Sequence, residues 1–387
     1  MAMYLRLSLY LFLFSIISCN LNNHSKDYRL VPGQVIEFNL SETTNYSSKY
    51  ISYYHNNEEE YLVNYNENDI SIEFYDFTTK QLEYSLSLRE NPLFQNNKFY
   101  GFFVHNLDSI FICIKYSNKI TLVNIEGTVL QTWIIDDSIA NTEKYYLHAS
   151  LANNLYYNDN RIYVSQIPHV QDPLQIAKTK PEIIYDIRKN KIISNTGNFP
   201  KVYQKGEWWH IIGYSLSKVL NNNNQLVLSF PVNHNLYVYQ NDSLIKVIEA
   251  KSKYLQDYNF PAFDNDYRKN VEYKKKYVTT LGRYYRLIYD DYRNLYYRIV
   301  LHPQEYKNKD GSTNSSSGMS WSIMVLDRNF NLLIENFFPA KQFDFYGILV
   351  IKEGLLVSNN HDSNKNLDPS KFSYTLFDLE KKNDKES

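Results

Sequence analysis

Residues 71–88 read SIEFYDFTTKQLEYSLSL. Apolar and polar side chains alternate up to Asp76, a short polar turn follows, and a second alternating run completes the pattern of a β-hairpin. An Asp or Asn suits the start of such a turn because its side chain accepts hydrogen bonds from backbone amides two residues on. The same form recurs in KITLVNIEGTVLQTWII (119–135), EIIYDIRKNKIISNTG (182–197), LYVYQNDSLIKVIEA (236–250) and SIMVLDRNFNLLIENF (322–337). A sixth copy, SYTLFDLEKK (373–382), lacks its second strand. The turn residues Asp76, Asn124, Asp186, Asn241, Asp327 and Asp378 lie 48, 62, 55, 86 and 51 residues apart. Repeats of this length, each with several strands, mark a β-propeller.

Two further strands precede each hairpin, as in KFYGFFVHN then SIFICIKY, or WWHIIGYSL then QLVLSFPV, so each repeat supplies one four-stranded blade. Proline cannot donate to a sheet ladder, and it stands where the chain leaves one blade for the next, in NPLF at 91, NFP at 198 and 259, and FFP at 337. The strand missing from the sixth copy is expected from QVIEFNL (34–40), ahead of the first blade, so that the last sheet is closed by the N-terminal strand. The expected fold is therefore all-β, a six-bladed propeller over residues 34–380 with a disordered tail at 381–387. Two stacked β-sandwiches are the alternative, which the even spacing disfavours. The longest gap holds an insertion (250–277), expected as a loop or short helix on one rim.

Composition agrees: 37 Tyr and 21 Phe among 387 residues suit pleated, half-buried surfaces. A formal net charge of −1 with interspersed signs argues against nucleic acid. The first of two cysteines ends LSLYLFLFSIISC, an apolar run too short to span a bilayer but suited to a signal peptide. Ile16, Ile17, Ser18 and Cys19 resemble a lipobox, which implies a signal over 1–19, lipidation of Cys19 and a polar tether over 20–33; an ordinary cleaved signal is the alternative. Cys113 is then alone, and its apolar strand marks it as a core residue.

With this lipobox, six repeats and Phe-Pro junctions, the chain resembles the propeller lipoproteins of Bacteroidota, a family known only as a domain of unknown function. The resemblance spans roughly residues 30–380 and carries no catalytic residues. It implies an outer-membrane lipoprotein, with the periplasmic side favoured because the tether lacks an acidic export cluster; the cell surface is the alternative. Three Asp-Ser-aliphatic triplets, at Asp108, Asp137 and Asp242, look like the glycosylation sequon of the same bacteria and equally suit plain turns.

Loops after the second and fourth strands of each blade share one face, where propeller ligands usually gather. His169, His234, His302 and His361 sit on four such loops; they are spread around a ring and cannot converge on one metal, so solvated loop histidines are expected. Arg286 and Arg298 lie inside consecutive strands of the fifth repeat. Each is expected to pair with a nearby acid such as Asp290 or Asp291, or to extend along a tyrosine; alternatively Arg286 lines the channel and grips a carboxylate or phosphate. Trp208, Trp209 and His210 open the fourth repeat as blade packing or a sugar-stacking platform. Arg286, Arg298, Trp208, Trp209, His210, His234 and His302 thus form the candidate ligand-binding set. Linear signatures of hydrolases, phosphate loops and metal sites are absent. A monomeric, membrane-anchored binding scaffold for a glycan, peptide or envelope protein is expected, with no cofactor; the alternative is a periplasmic or surface enzyme acting on carbohydrate at the channel mouth.

Overall fold

The computed structural model describes residues 27–382 apart from 49, 96–98, 115–116, 136–144, 169–171 and 268. Six antiparallel sheets follow one another. An N-terminal strand β1 (Tyr28–Asn39) precedes blade one, which comprises β2 (Ile51–His55), β3 (Glu60–Asn66), β4 (Ser71–Asp76) and β5 (Leu82–Ser87). Blade two holds β6 (Phe99–Asn106), β7 (Ser109–Ile114), β8 (Lys119–Val123) and β9 (Val129–Ile134). Blade three begins with a split inner strand, β10 (Tyr145–His148) and β11 (Tyr156–Asn158), and continues through β12 (Arg161–Pro168), β13 (Glu182–Asp186) and β14 (Lys191–Thr196). Blade four is β15 (Ser217–Leu220), β16 (Leu226–Ser229), β17 (Asn235–Gln240) and β18 (Ser243–Glu249). Blade five is β19 (Arg283–Asp290), β20 (Leu295–Leu301), β21 (Trp321–Leu326) and β22 (Leu332–Phe338). Blade six is β23 (Asp344–Val350), β24 (Leu355–Ser358) and β25 (Lys371–Lys381), with β1 outermost.

The ring therefore closes as expected, with β1 antiparallel to β25 in a register that sets Phe38 opposite Phe372 and Val31 opposite Asp378. The strand starts earlier than the alternating QVIEFNL suggests, so residues 28–33 belong to the sheet rather than to a tether. A register shift between Pro32 and Val35 absorbs the Pro-Gly pair inside it. Cys19, the signal segment and the tail from 383 lie outside the described residues.

The turn chemistry read from the repeats is in place. Asp76 Oδ1 accepts from the amides of Thr78 and Thr79, Asp186 Oδ1 from those of Arg188 and Lys189, and Asp327 Oδ1 from those of Asn329 and Asn331. Asn241 and Asp242 both take positive φ, as a tight hairpin turn requires. Ser109 and Ser243 of two Asp-Ser triplets begin strands directly after such turns; the triplet at Asp137 lies outside the described residues.

Strands buried on both faces pack blade against blade, giving one apolar cluster at each of the six boundaries. Alternation does this directly: Tyr61, Val63 and Tyr65 of β3 pack toward blade two, whereas Leu62 packs toward blade six. Cys113 is a fully buried member of the cluster between blades two and three.

Short helices α1 (Pro92–Gln95), α2 (Pro173–Lys178), α3 (His210–Tyr214) and α4 (Val271–Thr280) lie in the connections. Here the reading of WWHIIGYSL as a strand fails. Its apolar residues do not alternate, and the segment coils into α3, with the inner strand of blade four starting only at Ser217. Gly213 permits that turn, since a Cβ there would lie 2.6 Å from Trp209 Cβ. The 250–277 insertion forms two 3-10 turns and most of α4, and α4 packs against the same cluster as α3 while Leu255 of the first turn joins the cluster between blades four and five.

Candidate functional site

Inner strands of a propeller line its axis, and here the axis is interrupted. The split in blade three leaves residues 149–155 between β10 and β11, and this segment crosses the channel. Leu151 joins the apolar cluster of blades six and one on the far side. Ala152 O accepts from Ser217 Oγ, and Asn153 bridges to Lys218 in blade four. Ala149 lies against β6 so closely that a Cβ on Gly101 would stand 3.1 Å from it, which explains the glycine inside that strand.

A recess of about 320 Å³ remains, lined by inner strands or adjoining turns of all six blades. Ile51, Phe102, Leu287 and Leu349 supply apolar wall, and Asn154 and Tyr156 come from the crossing segment and the strand it leads into. Asn222 and Tyr292 lie on turns between first and second strands, so the recess opens on the face of those turns. This is the face opposite the second- and fourth-strand loops from which a ligand site was expected. Tyr292 of blade five reaches past blade six to His55 of blade one, with ring centres 5.3 Å apart, and Arg293 holds that turn down through the carbonyls of Ile351 and Lys352.

Arg286 is on the recess wall and only 5% exposed. Its Nη1 donates to Ile348 O of blade six at 3.0 Å. Burial pulls its pKa down to about 10, which leaves it charged at neutral pH. The expected pairing with Asp290 does not occur, because Asp290 is already held by Arg293 Nε at 2.7 Å and by Tyr297 OH at 3.0 Å.

Among the described residues Arg298 has no ion pair either, but it is fully occupied. It donates to the carbonyls of His234, Ala250 and Asn233 and to Ser229 Oγ, and its guanidinium carbon lies 3.4 Å from the centre of the Tyr284 ring. With no exposed surface it is a joint between blades four and five, not a ligand residue.

The three described loop histidines are held by hydrogen bonds rather than free in solvent. His234 Nδ1 meets Tyr284 OH at 2.7 Å. His361 Nε2 donates to Ser317 O, while its Nδ1 accepts from the Ser363 amide. His302 stacks on Tyr254 with ring centres 4.1 Å apart and its Nε2 meets Ser322 Oγ at 2.9 Å. Ser322 in turn donates to Glu335, which also takes Ser252 Oγ and the Lys253 amide. His169 lies outside the described residues. Burial first, then nearby Lys253, holds the pKa of His302 down to about 4.

Above about pH 7.5 His302 is neutral whether folded or not and contributes no pH dependence. As pH falls toward 4 the unfolded ring gains a proton that the native ring refuses, so stability is lost, by about 2–3 kcal/mol between pH 7 and 4.5. Urea melts across that range should show this loss, and His302→Gln should reduce it by that amount while leaving the parallel contribution of His234, whose pKa burial likewise pulls down to about 4.

Trp209 is 1% exposed and sits in the cluster beneath α3, so its ring offers no face to a sugar; Trp208 is half-buried beside Tyr214. His210 has φ +55°, and its half-buried ring lies between Phe263 and Tyr277. Of the seven candidate residues only Arg286 reaches the recess.

Sequence reasoning missed the buried pair Lys218–Glu182. Lys218 Nζ lies 2.5 Å from Glu182 Oε2 and 3.2 Å from Ser165 Oγ, with both charged side chains essentially unexposed. Burial lowers the lysine pKa and raises that of the glutamate, each opposed by the partner's charge. The local signal was a lysine in the apolar run YSLSKVL, with its partner 36 positions away. Among the described residues no three His, Cys, Asp or Glu side chains are grouped to hold a metal, and no helix is long and apolar enough to cross a membrane.

No curated protein matches the chain. The fold is similar to a crystal structure of a DUF4221 family member from Bacteroides vulgatus ATCC 8482, at 21% identity and TM-score 0.78, covering 92% of this chain and 99% of that one. It is also similar to a suspected exported protein of Bacteroides fragilis NCTC 9343, at 9% identity and TM-score 0.54, covering 94% and 98%. The sequence profile of one family, described as a domain of unknown function, matches residues 28–336, and on that extent the chain belongs to the DUF4221 family.

Proposed function

We propose that this propeller is a non-catalytic binding protein of the cell envelope, tethered to the outer membrane by acylated Cys19 and facing the periplasm, with the axial recess as its ligand site. The observation that carries the reading is the segment 149–155, which turns an open channel into a blind recess contacted by all six blades. A blind recess of about 320 Å³ is at the lower end of the range for small-molecule sites, roughly 300–1,000 Å³. Support for the envelope comes from the lipobox-like tetrad and from the structural likeness to a suspected exported protein. The alternative of an enzyme acting on carbohydrate has less support, since the acid-base side chains on the recess wall are Asp291 and His55, both at its mouth.

Native mass spectrometry of the chain purified from its envelope should show a co-purifying small molecule that Leu220→Trp, which fills the recess, removes. Persistence of the molecule in that variant would place the site elsewhere. In parallel, Cys19→Ala should move the protein at least tenfold from the detergent phase to the aqueous phase on detergent partitioning. Unchanged partitioning would remove the anchor.

A further inference from the structure

Blade five carries three buried arginines, and two of them show what a structural arginine looks like in this fold. Arg298 has four donor contacts and a tyrosine face. Arg283 is turned back onto the carbonyls of Val278 and Leu281, which end α4. Arg286 differs, with one carbonyl contact, no carboxylate pairing with it among the described residues, and a place on the wall of a recess that all six blades share.

Its position is built by a bulge. β19 pairs Tyr284 with Val300 and Arg286 with Ile299, so Tyr285 is an extra residue. Tyr284 and Leu287 pack toward blade four, while Tyr285 and Ile288 pack toward blade six. The inserted residue lets Arg286 point the same way as Tyr285 and reach Ile348 O, with Tyr156 of blade three near enough to feel its charge. A guanidinium buried without a counter-charge is costly to the fold unless something else satisfies it. Its planar fork matches two oxygens of a carboxylate or phosphate.

We infer that the recess takes a small molecule by an anionic group, a carboxylate or phosphate received by Arg286, with an apolar body against Ile51, Phe102, Leu287 and Leu349. Asp291 at the mouth disfavours a second negative charge at the outer end. This inference rests on the recess being the binding site, and adds the class of ligand to it.

The test uses the chain lacking residues 1–20, with benzoate, phenyl phosphate, inorganic phosphate and the neutral benzamide as probes, read by calorimetry and by melting temperature. Benzoate or phenyl phosphate should bind at least tenfold more tightly than benzamide, and whichever of the two is stronger distinguishes carboxylate from phosphate. Inorganic phosphate should bind more weakly than either, for want of an apolar body. Arg286→Met should abolish the preference, and in the absence of the probes it should melt no lower than the parent, because it removes an uncompensated buried charge. The inference is overturned if neither aryl anion binds, if benzamide binds as well as they do, or if Arg286→Met melts several degrees lower or fails to fold, which would make the arginine structural. Equal binding of benzamide and benzoate that Leu220→Trp abolishes would keep the recess and discard the anion, whereas binding untouched by Leu220→Trp would discard the recess as well.

Discussion

A chain beginning at residue 41, without β1, should show no cooperative unfolding transition. β1 contributes Phe38, which is fully buried between Phe77 and Tyr374, and Leu30, which joins the cluster between blades five and six. Truncating one buried Phe costs roughly 3–5 kcal/mol and one buried Leu about 2–5 kcal/mol. Together these approach the whole stability of an ordinary domain, about 5–15 kcal/mol. Removing the strand also exposes the ladder of β25 from Lys371 to Lys381 as an open sheet edge, which invites aggregation. The single change Phe38→Ala should therefore lower stability by about 3–5 kcal/mol while leaving the melt cooperative. Thermal melts by circular dichroism decide it, since a truncated chain with the parent's midpoint would mean that β1 is an appendage and the propeller closes by other contacts.

Phe38 also shows why the fold was legible before any coordinates. In QVIEFNL the apolar residues alternate with polar ones, a two-residue period that needs no knowledge of the partner strand. The same holds for Asp76, Asp186 and Asp327, whose bonds are to amides two to four residues on and are written into the local sequence.

The features that make the recess are of another kind. Ser150 to Leu155 read as an unremarkable stretch, and only the strand split in blade three shows that Leu151 crosses to the far side of the ring. The strand RYYRLIYD is too evenly aromatic and apolar for its pattern to mark the bulge at Tyr285, so nothing local separates Arg286, which faces the recess, from Arg298, which four donor contacts hold in place. His302 failed for a related reason, because its partners Tyr254 and Ser322 are 48 and 20 residues away and make a buried site from what reads as a polar loop. Periodicity reports which face a side chain occupies, but partner choice between blades depends on the closed ring.

Lys218 and Glu182 carry the clearest cost of that kind of pairing. Lys218→Met should lower stability by roughly 3–5 kcal/mol, because it leaves the Glu182 carboxylate buried with the Ser165 hydroxyl against it and no positive charge to oppose its desolvation. The double variant Lys218→Met, Glu182→Leu should recover most of the loss, since replacing both members of a buried ion pair by apolar side chains of similar volume is often neutral. The pair also holds the channel closure. Lys218 is bridged to Asn153, its carbonyl accepts from Tyr156 OH, and Ser165 Oγ lies 2.8 Å from Asn153 Oδ1. Breaking it should therefore loosen residues 149–155 before the rest of the ring, and hydrogen exchange should quicken there first. Urea melts of the two variants supply the decisive comparison. A single variant within about 1 kcal/mol of the parent, or a double variant no better than the single, would show that the carboxylate is not paying the penalty for a lost partner and that the closure is held by Leu151 and its apolar neighbours instead.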